Sequence, residues 1–436
     1  MKFVASVLTF LVLAFPASAE VDIKEVITPS GITVWLVEDH SIPFTALEMS
    51  FRGGTSLDAP GKRGAIYLMS GLLEEGAADL DARAYARELE ALAASFSYNV
   101  GDDAMSISAR FLSENRDEAM AMLYDTLHKP RFDQEAIDRV RAQIVSGLNS
   151  DTKDPNSIAS AAFLDMAFDD HPYATEGEGT IESVNALSRD DILDAYHAVF
   201  ARDRLFVGAV GDITPDQVSA LVETLLADLP ETGALMPEAT EVLLQGGVRI
   251  IDFDTPQSVA LFGHNGIDQD DDDFFAAYIL NQILGGGSFE SRLMTEVREK
   301  RGLTYGVYSY LASKDFASLY MGSVASANDR IAEAVSVIQD EWAKIQSQGV
   351  TQEDLDNAKT YLTGAYPLRF DGNSRIAGIL VGMQMMGLPI DYIATRNDKV
   401  NAVTLADANR VAAELYDPEG LQFVVVGRPE GLEATN

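Results

Sequence analysis

The feature that most constrains this chain is a repeat at long offset. Leu187-Ser188-Arg189-Asp190-Asp191-Ile192 precedes a helical stretch and the strand pattern Leu205-Phe206-Val207-Gly208-Ala209-Val210-Gly211. Val403-Thr404-Leu405-Ala406-Asp407-Ala408 precedes a second helical stretch and Leu421-Gln422-Phe423-Val424-Val425-Val426-Gly427. Phe132-Asp133-Gln134-Glu135 and Val350-Thr351-Gln352-Glu353 form another such pair. The offset is about 216–218 residues, as Ser188 stands to Thr404 and Gln134 to Gln352. One long, constant offset implies a module used twice, because a solenoid would repeat every 20–50 residues. Proline and glycine cluster between Leu229 and Gly247. The expected division is therefore an N-terminal module at 20–230, a linker at 231–245 and a C-terminal module at 246–436.

Within each module the pattern is mixed. Met105, Ile107, Ala109 and Phe111 alternate with small or polar residues, which predicts a half-buried strand. Tyr85, Leu89, Leu92 and Phe96 recur at helical spacing and predict one apolar helix face. Asp133 is placed to cap a helix running to about Asn149, and Asn328 or Asp329 to cap one running to about Gln348. Strands and helices do not alternate strictly, so the expected class is α+β, each module an antiparallel sheet packed with helices.

The chain opens with Lys2, an apolar run from Phe3 to Phe15, and Pro16-Ala17-Ser18-Ala19. That order predicts a signal peptide at 1–19, cleaved after Ala19, and a periplasmic or secreted product. No later run reaches the ~18 apolar residues of a membrane span, so no membrane association is expected after cleavage. Cysteine is absent, which excludes cysteine nucleophiles, thiolate metal sites and disulfides. The formal net charge of −36 disfavours nucleic acid as a partner. It suits cationic peptides, and equally serves solubility.

Gly53-Gly54-Thr55-Ser56-Leu57-Asp58 leads into Gly61-Lys62-Arg63-Gly64-Ala65-Ile66-Tyr67-Leu68-Met69-Ser70-Gly71-Leu72-Leu73-Glu74-Glu75-Gly76. His171-Pro172-Tyr173 and Gly179-Thr180-Ile181 follow, then Gly285-Gly286-Gly287-Ser288-Phe289-Glu290 and Arg298-Glu299-Lys300-Arg301-Gly302-Leu303-Thr304-Tyr305. In order and spacing these resemble the landmarks of pitrilysin/insulinase-type zinc peptidases, mitochondrial processing peptidase included, over about Val21 to Pro429. Members that cleave peptides carry H-x-x-E-H on a helix. Two histidines one turn apart hold Zn²⁺ and the glutamate serves as base. Aligned on Gly64 and Gly76, those positions are Tyr67, Ser70 and Gly71, and the downstream carboxylate falls at Ser146 or Gly147. No metal site is therefore expected in this chain. The five histidines, His40, His128, His171, His197 and His264, include no pair at helical chelating spacing. Glu74 and Glu75 read as helix-end acids, and Asp268–Asp273 as a solvated turn without calcium-loop spacing.

The resemblance implies a role for what is retained. In the family, an arginine and a tyrosine spaced as Arg301 and Tyr305 reach the zinc site of another half. Both are fixed donors suited to a carbonyl oxygen gaining charge, or to the substrate backbone. Gly285-Gly286-Gly287 resembles the substrate-handling loop of the non-catalytic processing-peptidase subunit, and also suits a helix–helix turn. Tyr308 and Tyr310 are expected to be packing residues. The expectation is the non-zinc-binding subunit of a two-chain peptidase, inactive alone. Its partner would be a homologous subunit with the zinc motif and the zinc, and its substrate a peptide. The alternatives are a scaffold or a peptide-binding protein of the same fold.

Overall fold

Alternating apolar residues pair into two sheets whose strand orders repeat each other. The computed structural model describes residues 21–287 and 290–435; the predicted signal peptide lies outside the described residues. The strands are β1 (Lys24–Ile27), β2 (Thr33–Glu38), β3 (Phe44–Arg52), the short hairpin β4 (Gly76–Ala77) and β5 (Leu80–Asp81), β6 (Ser95–Val100), β7 (Ala104–Leu112) and β8 (Leu205–Gly211). In the second half they are β9 (Gly247–Asp252), β10 (Gln257–Asn265), β11 (Val307–Ser313), β12 (Ser318–Ala327) and β13 (Gln422–Gly427). The first sheet runs β1-β2-β8-β3-β7-β6 and the second β11-β12-β10-β13-β9. Read from its β9 edge, the second sheet matches the first strand for strand from β2 to β6. In both, the pairing is antiparallel except for one parallel pair, β2 with β8 and β9 with β13. The fold is α+β with two like halves, each a predominantly antiparallel sheet with helices packed on it, as expected, and each with one parallel pair.

Short-range signals place the helices. Ser188 and Thr404 each close a capping box, with Asp191 and Asp407 respectively, at the starts of helices Arg189–Val199 and Leu405–Leu415. Thr351 and Asp354 do the same for helix Gln352–Ala365. Each box satisfies two otherwise orphaned N–H donors, so a few residues suffice to start the helix at the same place in both halves. Asp133 stands at the N-cap of helix Gln134–Asp151, without a side-chain bond to it. Arg330, not Asn328 or Asp329, stands at the N-cap of helix Ile331–Gln348, likewise without a side-chain bond to it. Tyr85 faces the core from helix Ala82–Ala91, but Phe96 lies on β6, because Ala93 turns the chain at φ 50° before the helical face reaches it.

Each sheet buries its inner face under helices of its own half. The outer faces are covered by exchange. Helix Pro155–Phe168 of the first half sets Phe163, Ala167 and Phe168 against Leu319, Met321, Val424 and Val426 of the second sheet. Helix Asn373–Met385 of the second half sets Ala377, Leu380 and Met383 against Trp35, Ala46 and Val210 of the first. Glycine permits both approaches. A Cβ on Gly208 would stand 2.9 Å from the Ala377 carbonyl oxygen, and one on Gly263 would stand 3.0 Å from Phe163 Cζ. Between them, residues 231–246 form no helix or strand.

Candidate functional site

The helix that carries the altered metal motif, Ala65–Leu72, is built from its N-terminus. Gly64 adopts φ 92°, and the buried Asp58 carboxylate accepts from the backbone N–H of Gly64 at 2.8 Å and of Ile66 at 2.9 Å. Burial raises the Asp58 pKa to about 6 against those hydrogen bonds and the Arg63 guanidinium, 3.5 Å away. Arg63 also donates to the Thr175 hydroxyl at 3.0 Å and carbonyl at 2.7 Å, tying the helix start to the loop after helix Pro155–Phe168. Ala65, Ile66, Leu68, Met69 and Leu72 enter the first core.

The side chains at the metal positions do not fit a zinc ion. The half-buried Tyr67 hydroxyl hydrogen-bonds the Glu178 carboxylate. Burial first, and then Glu178 and Asp151, push its pKa up to about 12, so it keeps its proton and donates. The Ser70 hydroxyl is buried and donates to the Tyr67 carbonyl at 2.8 Å, within its own helix. At Gly71 a Cβ would lie 3.1 Å from Val140 Cγ1, so helices Ala65–Leu72 and Gln134–Asp151 approach closely where a ligand side chain would have to leave the backbone. Ser146 and Gly147 lie on the exposed side of the facing helix. Among the described residues no group of three histidines or carboxylates could hold a metal. Glu75 is ion-paired with Arg139, and the Glu74 carboxyl is held above its usual range by burial and then by Glu75. His171 accepts from the Tyr173 N–H at 3.2 Å and packs on Phe168, Tyr173 and Phe316. His264 is a core residue whose Nε2 accepts from Trp342 Nε1 at 2.9 Å.

The retained pair sits in the other half. Arg301 follows a π-helical turn, Met294–Glu299, and donates to the Glu296 carbonyl at 2.7 Å and carboxylate at 2.8 Å. Arg330 fixes the loop by donating to the carbonyls of Arg301 and Gly302, both at 2.8 Å. The Thr304 hydroxyl, held at 2.7 Å from the Ala325 carbonyl, braces it against β12. Tyr305 at its tip is 88% exposed and makes no hydrogen bond among the described residues. Tyr308 and Tyr310 correct the packing expectation. They leave β11 on the face away from the second core and are 44% and 45% exposed, while Val307 and Ser309 take the buried positions. Gly285 ends helix Phe274–Leu284, and its carbonyl accepts from the Ser309 N–H at 2.9 Å. Cβ atoms on Gly285 or Gly286 would strike Ser309 and Gln282, whereas Gly287, at φ 84°, faces open space.

The two groups of residues are not brought together within this chain. The halves meet where hairpin β6–β7 touches hairpin β11–β12. Asp102 pairs with Lys314, the Asp315 N–H donates to Asp103 at 3.2 Å, and Arg52 lies 3.4 Å from Asp315. The Arg301–Tyr305 loop enters β11 at the opposite end from that junction, roughly 23 Å along the strand at ~3.3 Å per residue. No hydrogen bond or ion pair links it to helix Ala65–Leu72 among the described residues.

Comparison with known proteins identifies the fold and the family. Residues 33–180 match the model of insulinase, peptidase family M16, and residues 186–362 match the model of the peptidase M16 inactive domain. The chain belongs to peptidase family M16. The non-peptidase homolog YmxG of Helicobacter pylori is 28% identical over 429 residues, 98% of each chain. An uncharacterized zinc protease of Streptomyces coelicolor is 25% identical over 353 residues, 79% of this chain and 76% of that one. A crystal structure of a peptidase M16 inactive domain from Pseudomonas fluorescens superposes with a TM-score of 0.87 at 29% identity, covering 94% of this chain and 99% of that one. A chain of complex III2 from Candida albicans shares the fold, with a TM-score of 0.74 at 15% identity, covering 94% and 96%.

Within the M16 fold, two neighbours of the altered helix carry no sequence motif. Asp151 ends the facing helix and Glu178 lies in the loop after Tyr173, yet both act on Tyr67. The signal available was the acidic run Glu176-Gly-Glu178 directly before the Gly179-Thr180-Ile181 landmark.

Proposed function

We propose that this M16 chain is the zinc-free subunit of a two-chain peptidase. A homologous partner with H-x-x-E-H would hold the metal, and this chain would present Arg301 and Tyr305 to the substrate in the partner's site. One observation carries the reading: Tyr305 is 88% exposed on a braced loop, while the chain's own metal positions hold Tyr67, Ser70 and Gly71. A tyrosine left so largely exposed by its own chain is available to another. Its hydroxyl and the Arg301 guanidinium are donors suited to a carbonyl oxygen gaining charge. The name of the H. pylori relative, a non-peptidase homolog, supports a chain without catalysis of its own. In this reading the mature protein acts outside the cytoplasm.

The experiment is reconstitution. The purified chain is assayed for peptide hydrolysis and zinc content, alone and with an exported H-x-x-E-H homologue of similar size. Activity should require both chains, with zinc in the partner only, and Tyr305→Phe should lower turnover of the pair by roughly 10²-fold. Stoichiometric zinc and hydrolysis in this chain alone would defeat the proposal. Capture of an unrelated large assembly with no activity would support the scaffold reading instead.

A further inference from the structure

The two sheets differ at one edge. In the first, β1 lies outside β2 and antiparallel to it, paired from Lys24 with Leu36 to Ile27 with Thr33. In the second, β9 takes the place of β2 and no strand lies beyond it among the described residues. Parallel pairing with β13 uses alternate groups of β9. Gly247 and, just past the strand, Phe253 donate to the carbonyls of Leu421 and Gly427, both at 3.3 Å. Val248, Ile250 and Asp252 therefore present their N–H and C=O groups on the outer side. An apolar strand with such a row is a template for a further strand.

The row is partly covered, by a segment that follows the last strand. Glu430 N–H donates to the Asn328 carbonyl at 2.8 Å, and Gly431 turns the chain at φ 73°. Leu432 then packs, half-buried, on the second core. Thr435 N–H donates to the Val248 carbonyl at 2.9 Å, and Val248 N–H donates to the Thr435 hydroxyl at 2.7 Å. The segment sets out beside Asp252, where Arg428 is paired, and finishes at Val248, so it runs antiparallel to β9 as β1 does to β2. The position matches too. Val207 and Phe423 are related by the repeat offset, and their partners are Val34 and Val248. Val34 meets Val26 of β1, and Val248 meets Thr435. The second half thus fills the place of β1 from the other end of its sequence. It fills it less completely, because Ile250 forms no hydrogen bond to the segment among the described residues.

We propose that Leu432–Thr435 is a strap over the β9 edge, and that this edge pairs with β9 of a second copy of the chain when the strap is lifted. The edge is its own complement. Two β9 strands related by a two-fold axis at Ile250 run antiparallel and exchange both Ile250 bonds. Arg249 of each then faces Ile251 of the other, and Val248 faces Asp252, so no like charges meet. The strap lies at the far edge of the second sheet and does not rest on the two-chain peptidase reading.

The test lifts the strap in the full chain. Thr435→Pro removes both bonds to Val248, since proline has neither N–H nor hydroxyl, and Leu432→Asp unseats the anchor. Hydrogen exchange at Val248, read in dilute protein, should quicken roughly tenfold in the double variant. Sedimentation velocity should show a concentration-dependent dimer absent from the wild type. Adding Asp252→Pro, at an exposed position, should return that dimer to monomer, because it removes a donor that the new pairing needs and β13 does not use. If the double variant melts early, Thr435→Pro alone, also at an exposed position, carries the same test. Unchanged exchange at Val248 overturns the strap. A lifted chain that stays monomeric at every concentration, or a dimer that survives Asp252→Pro, overturns the pairing.

Discussion

The two halves share one strand order and differ in what they bury. The second half encloses an aromatic centre. Tyr320, Trp342 and Tyr416 are fully buried with rings 5.0–5.4 Å apart, and Trp342 donates to His264. On the first half's outer face, beside the exchanged helix, Glu48 is half-buried on β3 and hydrogen-bonded to Ser108, and Ser50 lies 2.6 Å from Ser106. The same topology thus supports an aromatic core with a neutral histidine in one copy and a hydroxyl-lined sheet with a half-buried acid in the other. Strand order depends on backbone pairing and turn positions, which tolerate wide exchange of side chains. The chemistry of each half depends on those side chains.

The largest effects should come from breaking the helix exchange. Phe163→Ala removes a fully buried ring between helix Pro155–Phe168 and the second sheet, and should cost about 3–5 kcal/mol in denaturant unfolding. Leu380→Ala, the counterpart on the first sheet, should cost about 2–5 kcal/mol. Hydrogen exchange sharpens the comparison. Phe163→Ala should lower protection in β10 and β13 before β3 and β8, and Leu380→Ala the reverse. Loss confined to the mutated helix's own half would show that the exchange couples nothing.

Next in size are two opposite pH dependences. Burial raises Glu48 to about 7, above the usual 4.5, so its contribution is fully present below pH 4.5 and is lost as pH rises through 7. Burial lowers His264 from 6.5 to about 4, so its contribution is present above pH 6.5 and is lost as pH falls through 4. Each shift corresponds to about 3 kcal/mol across its window. Urea midpoints at pH 5 and pH 8 should therefore respond differently to the two variants. Glu48→Gln should gain on the wild type at pH 8, and His264→Gln should lose less than the wild type on acidification. Identical pH slopes in both variants would remove the contrast between the halves.

Smaller still is the cap of the altered helix. Asp58→Ala leaves the N–H groups of Gly64 and Ile66 without their acceptor and should cost about 0.5–2 kcal/mol, with lost protection near Tyr67. Tyr305→Phe should leave the stability of the isolated chain within about 0.5 kcal/mol, because its side chain is largely exposed there. A larger loss would make Tyr305 a structural residue.

Much of this was legible in the chain itself, because the signals are local. A capping box spans four residues, so Ser188 with Asp191 and Thr404 with Asp407 announce the same helix start in both halves. Alternation over Met105–Phe111 fixes which side of β7 faces the core. The types of residue at Tyr67, Ser70 and Gly71 show that H-x-x-E-H is absent from that helix. Helical spacing does not carry through to Phe96, because a turn at Ala93 interrupts the face. In β11 the pattern is ambiguous, because Val307 and Leu311 on one face and Tyr308 and Tyr310 on the other are both able to pack, and only the fold turns Val307 inward.

Tertiary structure alone decided the rest. Helix Pro155–Phe168 has apolar residues enough to be buried, but nothing in its pattern says that it lies on the other half's sheet. That destination depends on Gly263 and on the shape of a surface far away in sequence. The burial that raises Glu48, the bond between Tyr67 and Glu178, and the pairing of Thr435 with Val248 likewise arise only when distant segments converge. Periodicity and capping act within one or two turns of chain. The fields and cavities that govern chemistry are set by neighbours the chain meets only once it has folded.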